Sequence, residues 1–214
     1  MMAANAAVWS FDVISPFAYL ALPEVSALPV AVRFRPVLFA GLLGHWGQLG
    51  PVEIPAKRLH TYRFCAHEAA RRGVPFRFPP LHPFNPLRPM RLLSALDGAP
   101  EAVRAVMDYV WRDGGDVADD AAWSRLLAQL HVADEAALIE ARGAKEVLRR
   151  NTEQAAAEGV FGVPTLSVGG EVFWGLDALP LARAFIDDPA ILTRGELARA
   201  TTLAAAPIAH ARKR

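Results

Sequence analysis

The chain has a single cysteine, Cys65, among 214 residues, so no disulfide closes within it and dithiol chemistry is excluded. Excess charge is lacking too: 23 Lys and Arg stand against 22 Asp and Glu, a formal net charge of +1. That balance gives no electrostatic case for nucleic acid, which would require a strongly basic face. No stretch approaches the ~18 uncharged apolar residues of a membrane span. The opening "MMAANAAVWSF" has neither the basic start nor the continuous apolar segment of a secretory signal. These absences lead to the expectation of a cytoplasmic protein with no nucleic-acid partner and no membrane. Metal is not expected either. His60, Cys65 and His67 share one helical stretch, but they lack zinc spacing, and Cys65 between Phe64 and Ala66 reads as core. Positive charge gathers only in the terminal "HARKR", residues 210–214, which reads as a solvated tail.

What is present is 53% hydrophobic composition, enough for one substantial core or a domain with a large insertion. Residues 6–13 read as a strand, and Pro16 opens a helix to about Ala27 behind a good cap, Ser15. Residues 30–39, "VAVRFRPVLF", are β-branched and aromatic and read as a second strand. The β-α-β order implies a parallel pair with a crossover helix. Residues 41–55, rich in glycine and proline, read as a loop. A helix over 56–72 and a proline-rich irregular passage over 73–89 come next.

Several amphipathic helices follow. Val103, Val106, Met107, Val110 and Trp111 recur at three and four, as do Trp123, Leu126, Leu127 and Leu130. The helix in "AKEVLRRNTEQAAAEG" carries Glu146–Arg150 and Arg149–Glu153 four apart and is stopped by Gly159. "PTLSV" and "EVFW" flank Gly169-Gly170, the pattern of a tight hairpin, and a last helix runs from about Asp177 to Ile186. The fold class is therefore α/β, a thioredoxin-like fold with a large all-helical insertion. Its expected boundaries are residues 1–45 with 145–190 for the thioredoxin-like part, 46–144 for the insertion and 191–214 for a tail.

In that layout the strand-to-helix junction Ser15-Pro16-Phe17-Ala18 lies where redox proteins carry Cys-x-x-Cys. Ser15 and Ala18 hold the two cysteine positions, so redox chemistry is lost. The helix N-terminus still favours an anion, and a serine hydroxyl can donate to a thiolate brought by a ligand, for which glutathione is the natural candidate. A plain helix cap accounts for the same residues. Val163-Pro164 in "GVFGVPTL" is expected to be cis, with the N–H and C=O of Val163 free for an extended peptide ligand.

"DVISPFAYLA", "EIPAKRLHTYRF", "GVPFRFPPLHPFNPLR" and "GVFGVPTLSVGGEVFWGLDAL", at their spacing, resemble the 2-hydroxychromene-2-carboxylate isomerases. That family has a DsbA-like thioredoxin fold and is close to the kappa-class glutathione transferases. The resemblance reaches to about residue 190. It implies glutathione as cofactor, an aromatic small-molecule substrate and a homodimer. Ser15 would hold the glutathione sulfur as thiolate, flanked by Pro16 and Phe17. Val163 and Pro164 would meet the cysteinyl backbone, Asp177 the γ-glutamyl ammonium, and Gln48 and Lys57 the rest of the tripeptide. Asn85 and Trp46 would face the substrate.

Two positions depart from the transferase pattern. Gln48 stands where those proteins have asparagine, and Leu176 where they have serine, which removes a polar contact to the γ-glutamyl end. The function implied is a glutathione-dependent isomerase of 2-hydroxychromene-2-carboxylate or a similar aromatic catabolic intermediate. A kappa-like transferase or peroxidase and a non-catalytic thioredoxin-like binding module stand as alternatives.

Overall fold

A computed structural model of the chain describes residues 6–203; the "HARKR" tail lies outside the described residues. Strand β1 (Ala6–Phe11) leads through helix α1 (Pro16–Ser26) to β2 (Ala31–Pro36), parallel to it. Helices α2 (Phe39–Trp46), α3 (Pro55–Arg72), α4 (Leu87–Ala95), α5 (Pro100–Met107, continued by one π turn to Arg112), α6 (Asp120–Gln129) and α7 (Glu135–Ala141) follow. Helix α8 (Ala144–Ala157) returns the chain to the sheet as β3 (Thr165–Val168) and β4 (Glu171–Trp174), and α9 (Leu179–Asp187) covers them. The strand order is β2-β1-β3-β4, with β3 antiparallel to both neighbours.

Alternation along β1 decides what lies on each face. Ala7, Trp9 and Phe11 enter the main core, where Trp9 stacks on Phe11 at 4.8 Å and meets Phe34 edge-on. Ser10 points the other way, and its Oγ accepts from Nε of the fully buried Arg35 at 3.0 Å. Arg35 reaches Glu158, just past α8, at 2.8 Å. The main core also takes Met90, Trp111 and Trp123 from the helical segment, so sheet and helices share one continuous interior. In the β3–β4 hairpin both Gly169 (φ 61°) and Gly170 (φ 90°) are left-handed, the geometry of a two-residue turn.

Several expectations need correction. The segment 41–55 is not a loop throughout: its first part is α2, and a 3-10 turn spans Pro51–Glu53. Helix α2 buries Leu42 among Val37, Ala155, Val160 and Val163. A Cβ at Gly41 would stand 2.8 Å from Thr152 Cγ2, so the glycine lets α2 press against α8. On α8, Arg149 pairs with both Glu146 and Glu153, in place of the expected Glu146–Arg150 contact. Past residue 190, a 3-10 turn (Pro189–Thr193) and the short helix α10 (Gly195–Ala200) extend the ordered structure.

Candidate functional site

The junction between β1 and α1 is fastened at nearly every backbone group. The Val13 N–H points to Met90 Sδ at 3.3 Å, and Trp111 Nε1 donates to the Val13 carbonyl at 2.8 Å. Asp12 accepts from the Ile14 N–H (3.0 Å) through one carboxylate oxygen and from the Phe39 N–H (2.9 Å) through the other. Burial pushes the Asp12 carboxyl up to about 6, against the pull of those two bonds. His82 Nε2 lies 2.9 Å from the Ile14 carbonyl; a carbonyl only accepts, so Nε2 carries the proton. Tyr62 Oη sits 2.9 Å from His82 Nδ1 and 2.8 Å from its carbonyl, and burial holds the imidazole below its ordinary range.

Ser15 follows this fastened segment. It is 7% exposed and caps α1, its Oγ accepting from the Ala18 N–H at 3.3 Å and donating to the Val163 carbonyl at 3.3 Å. The Val163-Pro164 peptide is cis, as expected, and so is His82-Pro83. The expectation for Val163 is modified: its carbonyl is taken by Ser15, while its N–H has no partner among the described residues. The Phe17 N–H, in the first turn of α1 after a proline, likewise has none.

Two compartments open at this point, sharing Phe17, Val163 and Trp174 as a common wall. The outer cleft, of about 550 Å³, is bordered by Pro164, Leu176, Asp177, Glu68, Arg71 and Arg72. Glu68 is chelated by both arginines, whereas exposed Asp177 makes no hydrogen bond or ion pair with the described residues. The inner chamber, of about 230 Å³, is reached by Ser15, Pro16, Gln48, Thr61 and His82 among apolar side chains. Trp174 leans over Gly162, where a Cβ would come within 2.4 Å of its Nε1; only glycine permits that approach.

Of the residues the sequence singled out, Ser15, Pro16, Phe17, Gln48, Val163, Pro164 and Asp177 therefore come together around the two compartments. Lys57, exposed in the first turn of α3, lines neither. Asn85 is exposed and accepts from the Leu87 N–H at the head of α4. Trp46 donates from Nε1 to the Val160 carbonyl at 2.9 Å and lies outside both compartments. Thr61, His82 and Asp12 were not anticipated. Cys65 is fully buried in α3, and burial together with Glu68 pushes its thiol to about 12, far from a nucleophile's range.

A mixed four-stranded sheet with helices inserted between β2 and α8, and a capping serine facing a cis-proline, defines a class. Residues 8–187 match the model of the DSBA-like thioredoxin domain, and the chain belongs to that family. Within it, the chain is 27% identical over 203 residues to a protein named glutathione S-transferase kappa 2 from Caenorhabditis elegans, covering 84% of this chain and 90% of that one. It is 26% identical over 187 residues to a 2-hydroxychromene-2-carboxylate isomerase of Sphingobium xenophagum, covering 83% and 96%. A solved 2-hydroxychromene-2-carboxylate isomerase superposes with a TM-score of 0.74 at 23% identity, over 92% of this chain and 98% of that one. At that identity it attests the fold. The isomerase and kappa-transferase resemblance expected from the motifs is thus present across most of the chain. Among the described residues, no helix is long and apolar enough to cross a membrane.

Proposed function

We propose that the protein is a glutathione-dependent isomerase of 2-hydroxychromene-2-carboxylate or a similar aromatic compound, working from the cytoplasm. One observation carries the reading: the buried Ser15 hydroxyl, at the head of α1, is hydrogen-bonded to the Val163 carbonyl where two compartments meet, the outer bordered by charged side chains and the inner lined mostly by apolar ones. The residues present fit a γ-glutamyl tripeptide. The Val163 N–H is an unpartnered donor for its cysteinyl carbonyl, and Asp177 is an unpaired carboxylate for its ammonium. Gln48 reaches the inner side, and exposed Lys57, which lines neither compartment, is proposed as the cation for a terminal carboxylate.

Glutathione, when bound, supplies a thiolate able to add to a conjugated carbon and leave again. Ser15 would donate a hydrogen bond from its hydroxyl to that sulfur, exchanging the long 3.3 Å bond to the Val163 carbonyl for a charge-assisted one. The α1 dipole and the unpartnered Phe17 N–H favour the same negative charge. Apolar side chains line most of the chamber in which the substrate would sit.

Calorimetry with glutathione on the wild type and Ser15→Ala tests the binding step; an absence of binding to the wild type overturns the reading. Turnover of a hydroxychromene carboxylate should require glutathione without consuming it, and Ser15→Ala should lower it ~100-fold or more, as losing a donor to a developing or resident anion does. A non-catalytic module would show no such loss. The kappa-named relative, aligned over 84% of the chain, favours transfer as the second reading. Consumption of glutathione and a product heavier by its mass would establish transfer instead.

A further inference from the structure

A further cleft, of about 570 Å³, lies between α2, α4 and α8 and shares no lining residue with the two compartments at Ser15. Helix α2 stands between it and the inner chamber, with Phe39 and Leu43 on the chamber side and Gly41 and His45 on this one. Its apolar lining is aliphatic: Leu38, Leu87, Leu148 and Ala156. The volume lies within the ~300–1,000 Å³ usual for small-molecule sites.

The charges on this wall are unevenly matched. Glu146 and Glu153 are both paired with Arg149, and the Thr152 hydroxyl donates to the Leu148 carbonyl and accepts from the Leu38 N–H. Arg91, Lys145 and His45 make no hydrogen bond or ion pair among the described residues.

Arg91 is the most telling of the three. One turn earlier on α4, Arg88 binds Asp120 at 2.7 Å and Glu135 at 3.2 Å and lies over the Trp123 ring. Arg91 has no such partners, and Met90 and Leu92 on either side of it are fully buried, so α4 holds it at this wall. Its Nε is sealed from solvent and unpaired, while its two terminal nitrogens stay open. A guanidinium with one edge desolvated and no counter-charge is costly. Its open edge is a planar fork that a carboxylate meets with two parallel hydrogen bonds.

We propose that this cleft binds an aliphatic carboxylate, its head on the Arg91 fork beside Lys145 and its chain along Leu38, Leu87, Leu148 and Ala156. A neutral chain brings no charge to Arg91, and a bare small anion gains nothing from the aliphatic lining. The site is independent of the glutathione reading and stands whether or not that reading does.

The test titrates the full chain by calorimetry with octanoate, 1-octanol and acetate. Octanoate should bind ~10–100-fold more tightly than octanol, as a charge-assisted pair provides, and ~100-fold more tightly than acetate, which lacks the chain. Arg91→Gln should weaken octanoate ~10–100-fold and leave octanol unchanged, and Arg91→Lys should recover only part of the loss. Lys145→Gln, at an exposed position, should weaken octanoate ~3-fold. Octanol binding as tight as octanoate overturns the proposal, and so does octanoate binding indifferent to Arg91→Gln. A loss of octanoate binding in Leu49→Ala also overturns it, since the chain would then lie in the inner chamber. Should Arg91→Gln fail to fold, Lys145→Gln decides: octanoate binding that it leaves unchanged overturns the proposal.

Discussion

Residues 12–17 and residues 47–54 both wall the inner chamber, and they are held by opposite means. The first segment is tied by residues from far along the chain: Phe39 through its amide, His82, Met90 and Trp111 through their side chains, and Val163 through its carbonyl. In the second, the hydrogen bonds close within five residues, as between Gln48 and Leu43 or Gly50 and Glu53, and Gly50 alone is buried. Chemistry that depends on ångström placement belongs on the first wall; fitting one guest or another belongs on the second.

Substitutions that loosen the fastened wall should have the largest effects. Trp111→Phe removes the donor to the Val13 carbonyl and leaves a gap in the core, and it should cost ~3 kcal/mol in urea unfolding. Turnover should fall more than global stability predicts, because Ser15 loses its footing.

Asp12 comes next, with a pH signature. Its carboxyl is raised in the folded protein to about 6 from 3.8, so the folded state binds a proton that the unfolded state has already released between those values. Its contribution to stability is therefore full below about 4 and declines as pH rises to about 6, by ~3 kcal/mol in all. The difference in unfolding free energy between wild type and Asp12→Asn, followed over that range, should move by this amount against the wild type; a flat difference would contradict it. On the local wall, Leu49→Ala should change stability by less than ~0.5 kcal/mol while still altering substrate KM. A large stability loss there would erase the distinction between the two walls.

The same contrast explains what the sequence made legible. The β1-α1-β2 unit and the hairpin announce themselves through short-range signals: Ser15-Pro16 at a helix start, β-branched runs, Gly169-Gly170. Helix α2 does not, because Gly41 and Gly44 beside Pro51 and Pro55 resemble loop composition. At Gly41 the missing side chain serves a helix–helix contact that only the folded neighbour Thr152 discloses. At the site, the thioredoxin-like layout pointed to Ser15 and Val163, and the family resemblance to Asp177. Thr61 and His82 could not be read that way, since nothing local distinguishes a helical threonine facing a cavity from one facing solvent. His82 lies in a proline-rich passage whose path is set by Tyr62 and Ile14.

The approach of Trp174 to Gly162 has an optical consequence. Of the five tryptophans, Trp9, Trp111 and Trp123 are sealed in the interior, while Trp174, half exposed, borders both compartments. Its emission is the one placed to change when either compartment fills, with Trp46 as the other solvent-accessible indole to subtract. A Trp46→Phe background would leave a chain whose solvent-sensitive fluorescence comes from the cleft, so that filling could be followed in real time without an added dye.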